Sequence, residues 1–147
     1  MIKCLFIGRL EKDLGLETYF QALDSLKLKA DFAGDGSLRN KCQKYGKVLG
    51  FTDIKKIISN YDIIFTSSYL SILESLIHKK PVYSVYENSL KEDYLKMSPF
   101  SKYINIINNS GEISLDKKYS QKGYEWAKKQ TWEKVTDIYI KLWQKYL

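Results

Sequence analysis

The chain has 147 residues, 44% hydrophobic and 28% charged, with a formal charge of +7. That is enough for one domain with a sizeable core, too little for two ordinary ones, and balanced as a globular chain is. No apolar run approaches the roughly 18–20 residues that span a bilayer, and the opening MIKCLFIGRL turns polar too soon for a secretory signal.

The positive charge favours anionic partners: a nucleotide diphosphate, or an anionic membrane surface. Nucleic acid is disfavoured. The lysines are scattered, with Lys79-Lys80, Lys117-Lys118 and Lys128-Lys129 the densest points, and Arg9 and Arg39 are the only arginines. Many lysines beside few arginines also fit an AT-rich coding bias. Cys4 and Cys42 have no metal or redox spacing and read as buried, inert thiols of a reducing cytosol.

Short apolar runs alternate with helical patterns. Residues 2–7 (IKCLFI) form a first strand ending at Gly8. Apolar residues at 16, 19, 20, 23 and 26 predict a helix over 16–28. Residues 29–33 give a second strand, closed by Gly34-Asp35-Gly36, and 37–45 a short polar helix. A third strand covers 47–51. Thr52 is the expected cap of a helix reaching about Asn60, with Ile54, Ile57 and Ile58 on one face. Residues 62–66 (DIIFT) form a fourth strand, 70–79 a helix, 81–86 (PVYSVY) a fifth strand, 90–97 a helix and 103–107 (YINII) a sixth strand. Ser114 or Asp116 opens a polar helix through Lys129. Thr131 caps a last helix over about 131–147, whose stripe carries Trp132, Val135, Ile138, Tyr139, Leu142, Trp143 and Tyr146. That stripe reads first as core packed on the sheet.

Alternation at this spacing implies right-handed crossovers. The expected fold is therefore α/β: a Rossmann-like three-layer sandwich, one domain over 1–147, with a parallel sheet of about six strands and helices on both faces. Ligands of such sheets bind beyond the carboxyl ends of the strands. The residues there are Gly8-Arg9, Gly34-Asp35-Gly36, Gly50-Phe51 and Ser67–Tyr69. Gly8 permits close backbone approach, and Arg9 is either a bidentate grip on a diphosphate or a surface arginine. Lys12 adds positive potential. Asp35 is either turn punctuation or a cap for the helix of Leu38 and Cys42. Ser67 and Ser68 sit where free helix amides favour an anion. Glu74 can accept from a ribose diol or be a solvated helix carboxylate. His78, the single histidine, shares its face and reads as a helix-end residue rather than a base.

The order of these pieces resembles the C-terminal domain of GT-B glycosyltransferases, in particular the large retaining family four. The series is GRL after strand one, GDG-x-LR after strand two, V-L-G-F at strand three, D-I-I-F-T-S at strand four, L-E-S-L-I-H-K-K-P-V before strand five, and the closing T-W-E-K-V. The resemblance covers about residues 2 to 143. It implies transfer of a sugar from a UDP- or GDP-sugar to an acceptor, as a hexosyltransferase of glycan biosynthesis without a metal ion. Arg9 and Lys12, with Gly8, Ser67 and Ser68, would hold the donor diphosphate. Glu74 would hold the ribose, and Gly50 and Phe51 would lie by the base. No residue is assigned the catalytic step.

The sequence also departs from that pattern. The family lysine falls on Leu14, leaving only Lys12 nearby. The first glutamate of the paired motif falls on Thr66 by counting, or its loop is deleted, and the glycine before K-P-V is Lys79. The N-terminal acceptor domain lies outside these residues. Three readings follow: a donor half completed by an N-terminal domain or partner subunit, a degenerate nucleotide-sugar-binding module, or an unrelated Rossmann-like regulator. The expected location is cytoplasmic, with peripheral attachment to the inner membrane face. In a complete enzyme of this type the last helix crosses to the other domain. An exposed apolar face bearing Trp143 or Tyr146 would therefore mark a missing partner.

Overall fold

A computed structural model describes residues 1–108, 114–115 and 118–147 of the chain. Six strands form one parallel sheet: β1 (Cys4–Ile7), β2 (Ala30–Ala33), β3 (Val48–Gly50), β4 (Ile63–Phe65), β5 (Val82–Val85) and β6 (Asn105–Ile107). Their spatial order is β3-β2-β1-β4-β5-β6. The chain thus winds outward from β1 in one direction, then returns past it to wind in the other. β1 pairs in register with β2 and β4 on its two sides, Phe6 facing Phe32 and Phe65.

Because strand side chains alternate, β1 serves two cores. Cys4 and Phe6 join Phe32, Phe65 and Val85 on one face. Helix α1 (Leu16–Leu26) packs there through Leu16, Tyr19, Phe20 and Leu23, and α2 (Arg39–Cys42) contributes Cys42. On the other face Leu5, Ile7 and Ile64 meet α3 (Ile54–Ile57) and the 3-10 turn after it. Farther along that face Val82 meets α4 (Tyr69–Ile77), Leu95 of α5 (Ser89–Met97) and Ala127 of α6 (Gln121–Lys128). This is the expected three-layer arrangement, with helices on both faces. Both cysteines are free and buried, and burial pushes each thiol up to about 11.

Several element ends differ from expectation for identifiable reasons. α1 stops at Leu26 because Lys27 turns left-handed (φ 53°), its amide returning to Asp24 O and the Leu28 amide to Leu23 O. The cap of α3 is Asp53, whose carboxylate accepts from the Lys55 amide, and Thr52 plays no such part. The polar helix α6 begins at Gln121, where Ser120 Oγ accepts from the Gly123 amide; Ser114 is not helical, and Asp116 and Lys117 lie outside the described residues. The short helix expected over 37–45 contracts to α2.

The largest correction concerns α7 (Trp132–Tyr146). Thr131 Oγ1 caps it as expected, accepting from the Lys134 amide. Its aromatic stripe is not core: every residue of the helix is exposed, Trp143 at 61% and Tyr146 at 75%.

Phe32 stands at the centre of the first core, fully buried and 5.9 Å from the Phe6 ring. Phe32→Ala is expected to destabilise the fold by about 3–5 kcal/mol, read as a lower urea midpoint with an unchanged slope.

Candidate functional site

The reversal of winding direction lies between the paired strands β1 and β4, and a crevice lies beyond their carboxyl ends. Past Ile7 the chain stays hydrogen-bonded to the loop after β2. The Gly8 amide donates to Ala33 O (3.1 Å), the Leu10 amide to Asp35 O (2.9 Å) and the Leu38 amide to Leu10 O (2.8 Å). Gly34 also bridges to Gly50 at the end of β3. Gly8, Gly34 and Gly50 therefore form one rim, as their recurrence at strand ends suggests. Gly34 is required by contact: a Cβ there would stand 1.9 Å from Gly8 O. Phe51 projects from the end of this rim at 90% exposure.

The GDG segment is thus scaffold. Asp35 does not cap α2, whose N-terminal residue Leu38 makes no side-chain cap bond. Instead its carboxylate accepts from the Gly36 amide and from Arg39 (2.9 Å each), which together hold its pKa below the usual carboxylate value. Glu11 joins the two loops from the other side, accepting from the Ser37 hydroxyl and from the Ser37 amide (2.8 Å).

The crevice holds a cavity of about 320 Å³. Its floor is Phe6, Ile7 and Gly8, with Val85 beside them. Ser67, Ser68 and Tyr69 form one wall, Lys91, Tyr94 and Leu95 of α5 another, and Leu14 a third. Gly8, Ser67 and Ser68 therefore line one cavity. Arg9, Lys12, Glu74, Gly50, Phe51 and the Gly34–Gly36 loop lie outside this lining. Arg9 is two-thirds exposed and paired with Asp13 at 3.1 Å. Lys12 starts a 3-10 turn ending at Leu14. Gly15 follows with φ +74°, and a Cβ on it would stand 2.0 Å from Val85 Cγ2, so only glycine lets α1 start this close to β5.

Ser67 Oγ donates to Val85 O (3.1 Å) and lies 3.4 Å from Tyr19 Oη. Ser68 stands at the cap position just before α4. It makes no side-chain cap bond there, and its hydroxyl donates to Ser71 Oγ (2.8 Å). The first-turn amides of α4 thus lack a capping side chain, and Ser68 and Tyr69 at this helix start line the crevice. Glu74 is partly buried on α4, with Oε1 3.2 Å from His78 Nδ1, which is itself 2.9 Å from Glu74 O. Thr66 is fully buried and donates to Ile7 O (2.9 Å). Only Thr66, Ser67 and Ser68 separate β4 from α4, so the loop expected to be missing here has no room.

Four contributors escaped sequence reasoning. Tyr19 reads as one more apolar position of α1, yet its hydroxyl donates to Tyr83 O (3.0 Å) and accepts from the Val85 amide (3.2 Å) under the cavity floor. Lys91 and Tyr94 sit on a helix with no strand-end signal. Glu11 carries a sequence hint only in its place between Arg9 and Lys12. Among the described residues, no group of three His, Cys, Asp or Glu side chains could hold a metal ion, and no helix is long and apolar enough to cross a membrane.

Two outcomes test the rim. Gly34→Ala is expected to cost about 1–3 kcal/mol by forcing the two loops apart, measured by chemical denaturation. Glu11 is held below its ordinary value of 4.5 mainly by the Ser37 hydroxyl, then by the Ser37 amide. A depressed folded-state pKa gives stability that is present above the unfolded value and lost as pH falls through the folded one. Acidification below pH 4.5 should therefore lower Tm, with a shallower fall in Glu11→Gln.

No protein-family model matches the chain, and no curated protein matches it. Among solved structures it is similar to the catalytic domain of the cholesterol-alpha-glucosyltransferase of Helicobacter pylori, with a TM-score of 0.51, 13% identity and 90% of each chain covered. The chain therefore shares its overall fold with a glycosyltransferase catalytic domain.

Proposed function

We propose that this chain is the nucleotide-sugar-binding half of a GT-B glycosyltransferase of the retaining family-four type. In this reading residues 1–147 are one donor domain, and an N-terminal acceptor domain or partner subunit completes the site. The observation that carries it is the crevice between β1 and β4, where Gly8, Ser67, Ser68 and the uncapped start of α4 converge on one cavity. A UDP- or GDP-sugar would place its diphosphate over the α4 amides, with Arg9 and Lys12 reaching in from the β1 rim. Charge developing on the leaving nucleoside diphosphate would be stabilised by those fixed dipoles and cations, without a metal ion. Glu74 would meet the ribose, and Gly50 and Phe51 the base. A nucleotide-sugar donor and two free thiols suit a cytoplasmic protein. The +7 charge would draw it to an anionic inner membrane face.

A second reading, a binding module that has lost transfer, is favoured by specific features. Leu14 lines the cavity where a diphosphate-binding lysine is expected, Arg9 is paired with Asp13, and Thr66 is committed to Ile7 O.

Thermal shift and calorimetry with UDP, GDP and their sugars test both. One nucleotide is expected to raise Tm, since ligand at 100 times Kd adds about 2.7 kcal/mol to the folded state. Arg9→Ala and Glu74→Ala should each weaken that binding about tenfold, equivalent to about 1.4 kcal/mol. No response to any nucleotide sinks both readings. Sugar transfer once an acceptor domain is supplied separates the first from the second.

A further inference from the structure

Among the described residues that line the crevice, Lys91 is the one charged side chain, and it comes from α5 rather than from a strand end. Asn88 Oδ1 accepts from the Lys91 amide (2.9 Å), which fixes Lys91 in the first turn of α5. Tyr94 and Leu95, three and four residues on, share its helix face and line the same cavity. One buried ring ties this wall to the start of α4. Phe100 lies 5.9 Å from the Tyr94 ring and 6.0 Å from the Tyr69 ring. The Ser67 hydroxyl, donating to Val85 O (3.1 Å), joins the ends of β4 and β5 below. Lys91 and the start of α4 therefore belong to two walls of one cavity that have little freedom to separate.

The charge of Lys91 is not met within the protein. Among the described residues its ammonium has no carboxylate within ion-pair distance. Glu92 is taken by Lys96, and Asp93, two residues along the helix, lies off the Lys91 face. Glu87 sits by the start of α1, its Cγ 3.9 Å from where a Cβ on Gly15 would stand. The β1 side of the crevice is different. Leu14 covers the end of β1, its Cδ1 3.3 Å from where a Cβ on Gly8 would stand. Arg9 is paired with Asp13, and Lys12 is outside the lining. A partly buried cation among mostly apolar walls attracts an anion strongly, because little water screens the pair.

We propose that Lys91 is the cation that holds the donor's diphosphate inside this crevice, gripping from α5 the group that the α4 amides meet from the other wall. The proposal rests on the donor-domain reading and moves the main positive charge of the site from the β1 loop to α5. Arg9 and Lys12 then act from the rim. A lysine acts on phosphate as a point charge, so the contribution of Lys91 follows the charge of the ligand and not its base.

The test is calorimetry of the full chain with UDP and GDP, each beside its nucleoside, in wild type and three variants. Lys91→Gln should weaken binding of the preferred nucleotide about tenfold or more and leave the nucleoside unaffected. Lys91→Arg should restore most of the loss, and Lys91→Glu should deepen it. Added salt should weaken nucleotide binding less in Lys91→Gln than in wild type. The ligand-free Tm of Lys91→Gln should match wild type, because the side chain leaves no ion pair behind. A nucleotide that binds Lys91→Gln as tightly as wild type overturns the proposal and leaves the donor reading standing. An equal loss for nucleotide and nucleoside also overturns it, since that marks a packing role. A wild-type chain that binds neither nucleotide removes the donor reading and the proposal with it.

Discussion

The tyrosine hydroxyl buried beneath the crevice holds the two halves of the sheet in one arrangement. Tyr19 leaves α1, crosses below β1 and β4, and ends at β5, where it donates to Tyr83 O and accepts from the Val85 amide. Its ring meets Phe6 at 5.5 Å and Phe65 at 5.0 Å, so it touches both strands that bound the switch point. Burial pushes the phenol pKa strongly upward, and the group works there as a neutral donor and acceptor. A buried hydroxyl without partners costs about 1–3 kcal/mol, so the two bonds limit how α1 and β5 can move relative to each other. Gly15 must be glycine for the same reason: α1 can begin beside Val85 only without a Cβ.

From this fixed floor the chemistry of the crevice follows. Its walls are mostly apolar, from Phe6 and Leu14 to Tyr94 and Leu95. Its polar groups are the serines at the start of α4 and the single Lys91. The basic side chains of the β1 loop stand at the rim, and Arg9 there already has Asp13 as a partner. An anion entering this site would thus meet backbone dipoles first and fixed cations second. Dipoles at a helix start favour negative charge most where water is excluded, and an apolar cavity supplies that condition. In the proposed reading, the anionic end of the donor lies at the start of α4 and an uncharged portion reaches into the cavity.

The parallel sheet and its six strands could be anticipated from sequence because buried parallel strands such as CLFI and DIIF are short apolar runs, and their alternation with helices implies right-handed crossovers. The strand-end glycines announced the rim for a related reason: close backbone approach excludes a Cβ. What escaped the sequence depends on long-range partners. Thr52 and Asp53 are equally plausible caps by residue type, and only the backbone decides that Asp53 takes the Lys55 amide. Asp35 reads as a turn or a cap until Arg39 is found beside it. Tyr19 fits the apolar period of α1 perfectly, and its hydroxyl matters only once β5 is known to pass within reach.

The last helix separates two meanings of an amphipathic pattern. Periodicity states that a face must be covered, and it is silent on what covers it. In α1 and α4 the cover is the sheet itself, reached by connections of a few residues after β1 and β4. α7 instead follows α6, which has already taken its place against α4 and the Phe100 cluster. The first turns of α7 meet α4 only across a small groove lined by Tyr69, Leu70 and Leu73, and the rest of its aromatic stripe stays exposed, so the same periodicity that marks core in α1 marks surface here.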